Sequence, residues 1–92
     1  MGKLGWLRCK LHRGMFSGEY AIVVQTTAGK FLTFFAPDDF LQPGKRPAGS
    51  EEVDGKIRVD VLDEQAGVIY LPREPFEGSR FIRVPANVLG MA

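Results

Sequence analysis

Apolar and polar residues alternate with a period of two along much of this chain. From Trp6 to His12, Leu7, Cys9 and Leu11 alternate with Arg8, Lys10 and His12. That pattern predicts a half-buried strand with a basic outer face. Gly14 to Gly18 then reads as a wide turn whose apolar tip, Met15-Phe16, folds back over the core. Glu19 to Leu41 follows as a long hairpin stopped by Pro37. A two-residue turn at Ala28-Gly29 would force Ala28 to positive φ. A three-residue loop, Thr27-Ala28-Gly29, places only Gly29 there. In that register Tyr20, Ile22, Val24, Leu32 and Phe34 share one face, and Ala21, Val23, Gln25, Phe31, Thr33 and Phe35 the other. Both faces are substantially apolar. After Pro37, Asp38 to Leu41 reads as a single helical turn that Asp38 could cap.

Residues 42–55 are rich in Pro, Gly and charge. They predict an exposed, mobile loop ending in an Asp54-Gly55 turn. A second hairpin follows, turning at Gln65-Ala66-Gly67. A three-residue loop there gathers Ile57, Val59, Val61, Ile69 and Leu71 on one face, with Asp60, Glu64 and Tyr70 on the other. A one-residue slip would mix the two sets, so the pattern selects this register. Pro72 to Pro75 stops the strand. Arg80 to Val84 reads as the last strand, and Pro85 to Leu89 as a second short turn. No apolar pattern of helical period is sustained.

Six short antiparallel strands with single-turn helices after Pro37 and Pro85 predict an all-β small barrel, with a small β-sandwich as the alternative. The ending Pro85-Ala86-Asn87-Val88-Leu89 resembles the short 3₁₀ turn before the last strand of SH3-like barrels. The resemblance implies architecture only, because the acidic and aromatic motifs of peptide-binding SH3 domains are missing. Phe35 to Leu41 also resembles Arg83 to Leu89. Aligning the two Ala-Gly turns opposes the hairpins' inner faces, which points to a shared way of stopping a strand and not to a repeat.

At 92 residues the chain is one domain, 1–92, able to bury roughly 60–65% of its unfolded surface. A single cysteine, Cys9, excludes an intramolecular disulfide. With no leader-like apolar run and no stretch of about 20 apolar residues, a cytoplasmic protein without membrane contact is expected. The net charge of +1 is unevenly spread. Residues 1–17 carry Lys3, Arg8, Lys10 and Arg13 without an acid. Residues 51–67 carry six acids against Lys56 and Arg58. Such segments either attract each other in the fold or leave a basic patch for an anionic partner.

Catalytic chemistry finds little support. Cys9 and His12 fall on opposite faces of one strand, so they do not form a nucleophile–base pair. Two Cys/His residues cannot make a four-ligand zinc site. The acidic pairs do not match a calcium loop, and no Gly-rich segment precedes a helix. The expectation is a binding module without cofactor or small-molecule substrate. Its first candidate surface is the second face of the 19–36 hairpin, Val23, Phe31 and Phe35, meeting a protein partner or a second copy. The alternative is single-stranded nucleic acid on the basic first strand: Trp6, Arg8, Lys10, His12 and Arg13, with Arg80 and Arg83 as further contributors.

Overall fold

A computed structural model describes residues 2–92; Met1, the first residue of the expected domain, lies outside them. The chain forms one curled antiparallel sheet, a half-barrel of the small SH3-like type. Its strands are β1 (Lys3–Arg13), β2 (Glu19–Gln25), β3 (Phe31–Pro37), β4 (Val53–Asp63), β5 (Val68–Tyr70), β6 (Phe81–Arg83) and β7 (Leu89–Met91). They lie in the order β3-β2-β1-β4-β5-β6, with β7 also on β1. Two 3₁₀ turns, Asp38–Phe40 and Ala86–Val88, follow Pro37 and Pro85. The core is the inward set of every strand, among them Leu7, Leu11, Ile22, Phe34, Ile57, Ile69 and Leu71. Among the described residues no second sheet forms, so the sandwich alternative falls. Among the described residues, no helix is long and apolar enough to cross a membrane.

Both predicted hairpin faces are realised, by different means. Gln25 pairs with Phe31, and Thr26 N–H donates to the Lys30 carbonyl at 2.9 Å. Three residues therefore form the first loop, with Gly29 at φ 84°. In the second hairpin Asp63 pairs with Val68, leaving a four-residue loop, and the register shifts between Val61 and Asp63. A four-residue loop alone would turn Ile69 outward. The bulge at Leu62 adds one more residue and restores the parity, so Val61 faces Ile69 in the core.

Several expectations are corrected. The first strand spans Lys3–Arg13 and is longer than Trp6–His12, because β4 pairs with it from Lys3 to Leu11. The Met15-Phe16 tip does not fold over the core: the two side chains are 76% and 72% exposed. Gly14 N–H donating to the Glu19 carbonyl closes a turn too tight to reach back. Asp38 does not cap its 3₁₀ turn; its carboxylate accepts from Arg46 Nε at 2.7 Å instead. Asp54-Gly55 is not a turn. Val53, Asp54 and Gly55 lie in β4 opposite Leu11, Lys10 and Cys9, because pairing with β1 outweighs the local turn preference. The rest of the 42–55 segment is tethered. Gln42 N–H donates to the Lys56 carbonyl, Arg46 Nη2 to the Gln42 carbonyl, and Pro47 is buried. The last predicted strand shortens to Phe81–Arg83, and the unpredicted β7 follows the second 3₁₀ turn.

The strand order reads the same from either end with β1 and β4 exchanged. Leu7 of β1 pairs with Ile57 of β4 at its centre. After the first 3₁₀ turn Leu41 bridges to Ile57, and after the second Leu89 pairs with Leu7. One row, Leu41–Ile57–Leu7–Leu89, thus crosses the sheet. Outward from it Ile22 corresponds to Ile69, Val24 to Leu71 and Ala36 to Val84, all buried. The glycines obey the same pseudo-twofold. A Cβ on Gly55 would lie 2.6 Å from Leu11 Cδ1, and one on Gly5 2.6 Å from Val61 Cγ2. The two halves therefore repeat one topology, contrary to the reading from the Ala-Gly turns. The counterpart of the Thr27–Gly29 turn is the long 71–80 connection, and that of Gln65–Gly67 is Gly14–Gly18.

The two turn glycines differ in what replacement would meet. Gly29 has open space around it; a Cβ on Gly67 would lie 2.1 Å from the Val84 carbonyl oxygen, and Val84 N–H donates back to Gly67. Gly29→Ala should therefore cost only the positive-φ strain, about 1–2 kcal/mol. Gly67→Ala should cost about 3 kcal/mol or more, because it also breaks the backbone contact. Urea unfolding of the two variants measures the difference, and equal losses would refute the assignment.

Candidate functional site

The outer face of the sheet carries the residues that alternate with the core. On β1 these are Trp6, Arg8, Lys10 and His12; on β4, Glu52's neighbour Asp54, then Lys56 and Arg58. The register sets Lys10 against Asp54, Arg8 against Lys56 and Trp6 against Arg58. Val23 of β2 pairs with Lys10 from the other side. Next to Val23 on the same face comes Gln25, whose cross-strand neighbour on β3 is Phe31. The tethered 42–46 segment rises beyond β4. Together these elements line a groove of about 540 Å³. Its polar lining is Arg8, Lys10, Gln25, Gln42, Lys45, Arg46, Asp54 and Lys56, and its apolar lining includes Val23, Phe31, Pro43 and Val88.

Members of both sequence-derived candidate sets therefore meet in one place. Val23 and Phe31 belong to the expected protein-contact face, Arg8 and Lys10 to the expected basic strand. Phe31 is 65% exposed at the groove margin. The other candidates lie elsewhere. Phe35 is half-buried, with the Phe76 ring packed edge-on against it at 5.2 Å between centroids. Phe76 is held there by its N–H donating to the Thr33 carbonyl. This chain thus covers part of the hairpin's second face itself. His12 Nε2 lies 2.9 Å from the Glu52 carboxylate. Arg13 donates to the Ala48 carbonyl at 3.5 Å. Trp6 lies on the same strand face beyond the groove, between Arg58 and Gly90. Arg80 does not join the basic strip: its guanidinium stacks 4.2 Å above the Tyr70 ring and donates to the Leu71 carbonyl. Arg83 sits on β6, away from the groove.

Charge is partitioned within the groove. Lys10 forms an ion pair with Asp54, whose hydrogen bond holds the Asp54 carboxyl below its ordinary range and the Lys10 ammonium above its own. Arg46 is committed to Asp38 and lies 5.9 Å from the Tyr20 ring centroid, which fixes the groove's loop wall. Arg8, Lys45 and Lys56 have no ion-pair partner among the described residues. The attraction expected between the basic first segment and the acidic third is therefore real at Lys10–Asp54, to which Arg8 and Glu52 add at longer range, and His12 hydrogen-bonds to Glu52. Where Arg8 meets Lys56, two cations face each other directly, an arrangement that disfavours the fold.

Sequence reasoning missed Lys45, Arg46 and Lys56 as groove residues. Lys45-Arg46 lies in a loop whose position depends on the Gln42–Lys56 hydrogen bond. Lys56 becomes a neighbour of Arg8 only through the β1–β4 register. The acidic surroundings of Lys56 in the sequence hid it.

Cys9 lies beneath the groove and faces the core, 7% exposed. Burial pushes its thiol up to about 12, while the Arg46 charge pulls it down and Asp54 raises it. A thiol at that value holds almost no thiolate at neutral pH, so it is not a nucleophile. Compared with protein-family models, with curated proteins and with solved structures, the chain matches none.

The thiol has two measurable consequences. In the native protein at pH 8, Cys9 should react with a disulfide reagent only after denaturant is added; rapid native reaction would mean that the thiol is open to the groove. The unfolded chain releases this proton first, near the ordinary value of 9.0, and the folded chain only near 12. The contribution is thus complete below pH 9 and is lost as pH rises toward 12. Stability measured by urea over that window should fall more in the native sequence than in Cys9→Ala.

Proposed function

We propose that this domain is a binding module for single-stranded nucleic acid, with the basic groove as its site, acting without catalysis. One observation carries the reading. With a net charge of only +1, the chain brings five of its twelve Lys and Arg residues into a single groove with one of its eleven acids, and three of the five, Arg8, Lys45 and Lys56, have no ion-pair partner among the described residues. A recess with an excess of one sign of charge focuses the field and draws in anions. The Arg8–Lys56 pair, neither member of which has an ion-pair partner among the described residues, supports the same reading, because phosphate binding would relieve their repulsion. The shape favours a single strand. Duplex readers insert a helix or ribbon into a groove of the DNA; here the cations line the recess, and 540 Å³ is in the range of pockets for small ligands, about 300–1,000 Å³. Exposed Phe31 at the margin adds the aromatic surface on which single strands stack.

The competing reading is contact with a protein or a second copy through Val23, Phe31 and Phe35. It rests on exposed Phe31 and Phe76, at 65% and 64%. A concentration-dependent dimer in sedimentation, abolished by Phe31→Asp and indifferent to salt, would favour that reading.

Fluorescence anisotropy with a labelled oligothymidylate tests the proposal. Binding should weaken as salt rises, with a slope of about −0.7 per phosphate neutralised. Arg8→Gln with Lys56→Gln should shallow that slope by about 1–2 units. Asp54→Asn, which removes the groove's acid, should tighten binding at low salt. Absence of binding at 20–50 mM salt (about the low end of the usual range) would sink the proposal.

A further inference from the structure

The groove has a floor with an interrupted ladder. Along one edge β1 pairs with β7 over Gly5–Leu7 and with β2 over Lys10–Arg13. No strand pair on that edge includes Arg8 or Cys9. Ala92 N–H donates to the Leu4 carbonyl on the β7 side, and Gly14 N–H to the Glu19 carbonyl on the β2 side. Peptide groups along a strand alternate in direction. Arg8 is in phase with Leu4 and Gly14, so its own N–H and C=O turn toward the edge that also carries the Leu7–Leu89 pairing, between Val88 and Gln25. Both of those residues line the groove. The Arg8 guanidinium and the Lys56 ammonium belong to the same place, set opposite each other by the register.

Across the sheet from this point the order of outward side chains is Lys56 on β4, Arg8 on β1, Gln25 on β2 and Phe31 on β3. The last pair of the β1–β2 ladder is Lys10 with Val23, and Gln25 lies two residues beyond it on the same face of β2. Phe31 is paired with Gln25. Arg8, Gln25 and Phe31 all line the one groove. Phe31 is largely exposed at the groove margin, whereas Phe35, two residues along the same face, already has Phe76 against it.

We infer that the groove holds two distinct subsites: a phosphate subsite made by the Arg8 guanidinium and the Lys56 ammonium, and a base-stacking platform made by Phe31, with the Gln25 amide at the edge of the stacked base. This rests on the nucleic-acid reading and sharpens it: the ligand is an unpaired nucleotide whose base is splayed onto Phe31 while the adjacent phosphate bridges the two cations. The cations supply affinity without regard to the base, because phosphate contacts carry no sequence information. Phe31 makes the groove sense that a base is present and unstacked, which a duplex cannot offer. Lys45 also lines the groove, from the loop wall, as a further cation for the strand's phosphates.

The experiment uses the whole chain and three labelled probes of equal length: oligothymidylate, the same oligomer with abasic sites, and a duplex. The native protein should bind oligothymidylate at least about tenfold more tightly than the abasic probe, the usual order for one stacked base. Phe31→Ala should remove that preference and leave abasic binding unchanged; Phe31→Trp should retain it. Arg8→Gln with Lys56→Gln should weaken both single-stranded probes alike. Phe31 is exposed, so its variants test binding and not folding, and matching urea midpoints check this. Equal native affinity for the two single-stranded probes, or an unchanged preference in Phe31→Ala, would overturn the stacking platform while leaving the salt-dependent groove reading intact. Failure of the native protein to bind any of the three probes at low salt would overturn the groove reading and the subsites with it.

Discussion

The antiparallel pairing of β1 with β4 is the interaction on which everything else depends. It runs from Lys3–Val61 to Leu11–Val53 and is the longest ladder in the sheet. Its centre, Leu7–Ile57, receives Leu89 from one side and Leu41 from the other. Both 3₁₀ turns work in the same way. An extended proline precedes each, Pro37 at the end of β3 and Pro85 two residues after β6, and the next leucine N–H donates back to the first residue of the turn. Each turn thus hands a leucine to the central pair. Burying this row joins the ends of both halves to one core, and a slip of one residue between β1 and β4 would expose it.

The same register creates the groove. It matches Lys10 to Asp54 but sets Arg8 against Lys56, so the core-facing constraint fixes an unfavourable contact on the outer face. Hydrophobic burial on the inner face, worth about 1.5–3 kcal/mol for each fully buried large side chain, exceeds the cost of one exposed like-charge pair, which is on the order of 1 kcal/mol. The fold can therefore hold the two cations together without neutralising them. The interruption between β7 and β2 has a related origin. β1 is long enough to serve two neighbours along one edge, and one leaves before the other arrives, between Leu7 and Lys10.

Pseudo-symmetry also shows where the halves diverge. The short β2–β3 turn has as its counterpart the 71–80 connection, which carries Phe76 over to Phe35. That excursion covers part of the second face of the first hairpin, and it leaves Phe31 beyond its reach. The abundance of apolar residues on that hairpin therefore has two explanations: Phe35 is packed by the chain itself, and Phe31 stands at the groove margin.

The sequence by itself determined the strand faces, the inward set from Leu7 to Leu71, the proline stops and the positive-φ position at Gly29. Each of these follows from period-two alternation or from local backbone sterics, which neighbouring residues settle among themselves. Parity constrained even the second hairpin, whose bulge at Leu62 changed the loop length and not the faces. Only the tertiary structure decided that Asp54-Gly55 continues a strand, that β7 exists, and that Lys56, Lys45 and Arg8 belong to one groove. Those outcomes depend on which strands pair and in which register, a choice made between segments some 50 residues apart and driven by burial of the central leucine row, which no local pattern records.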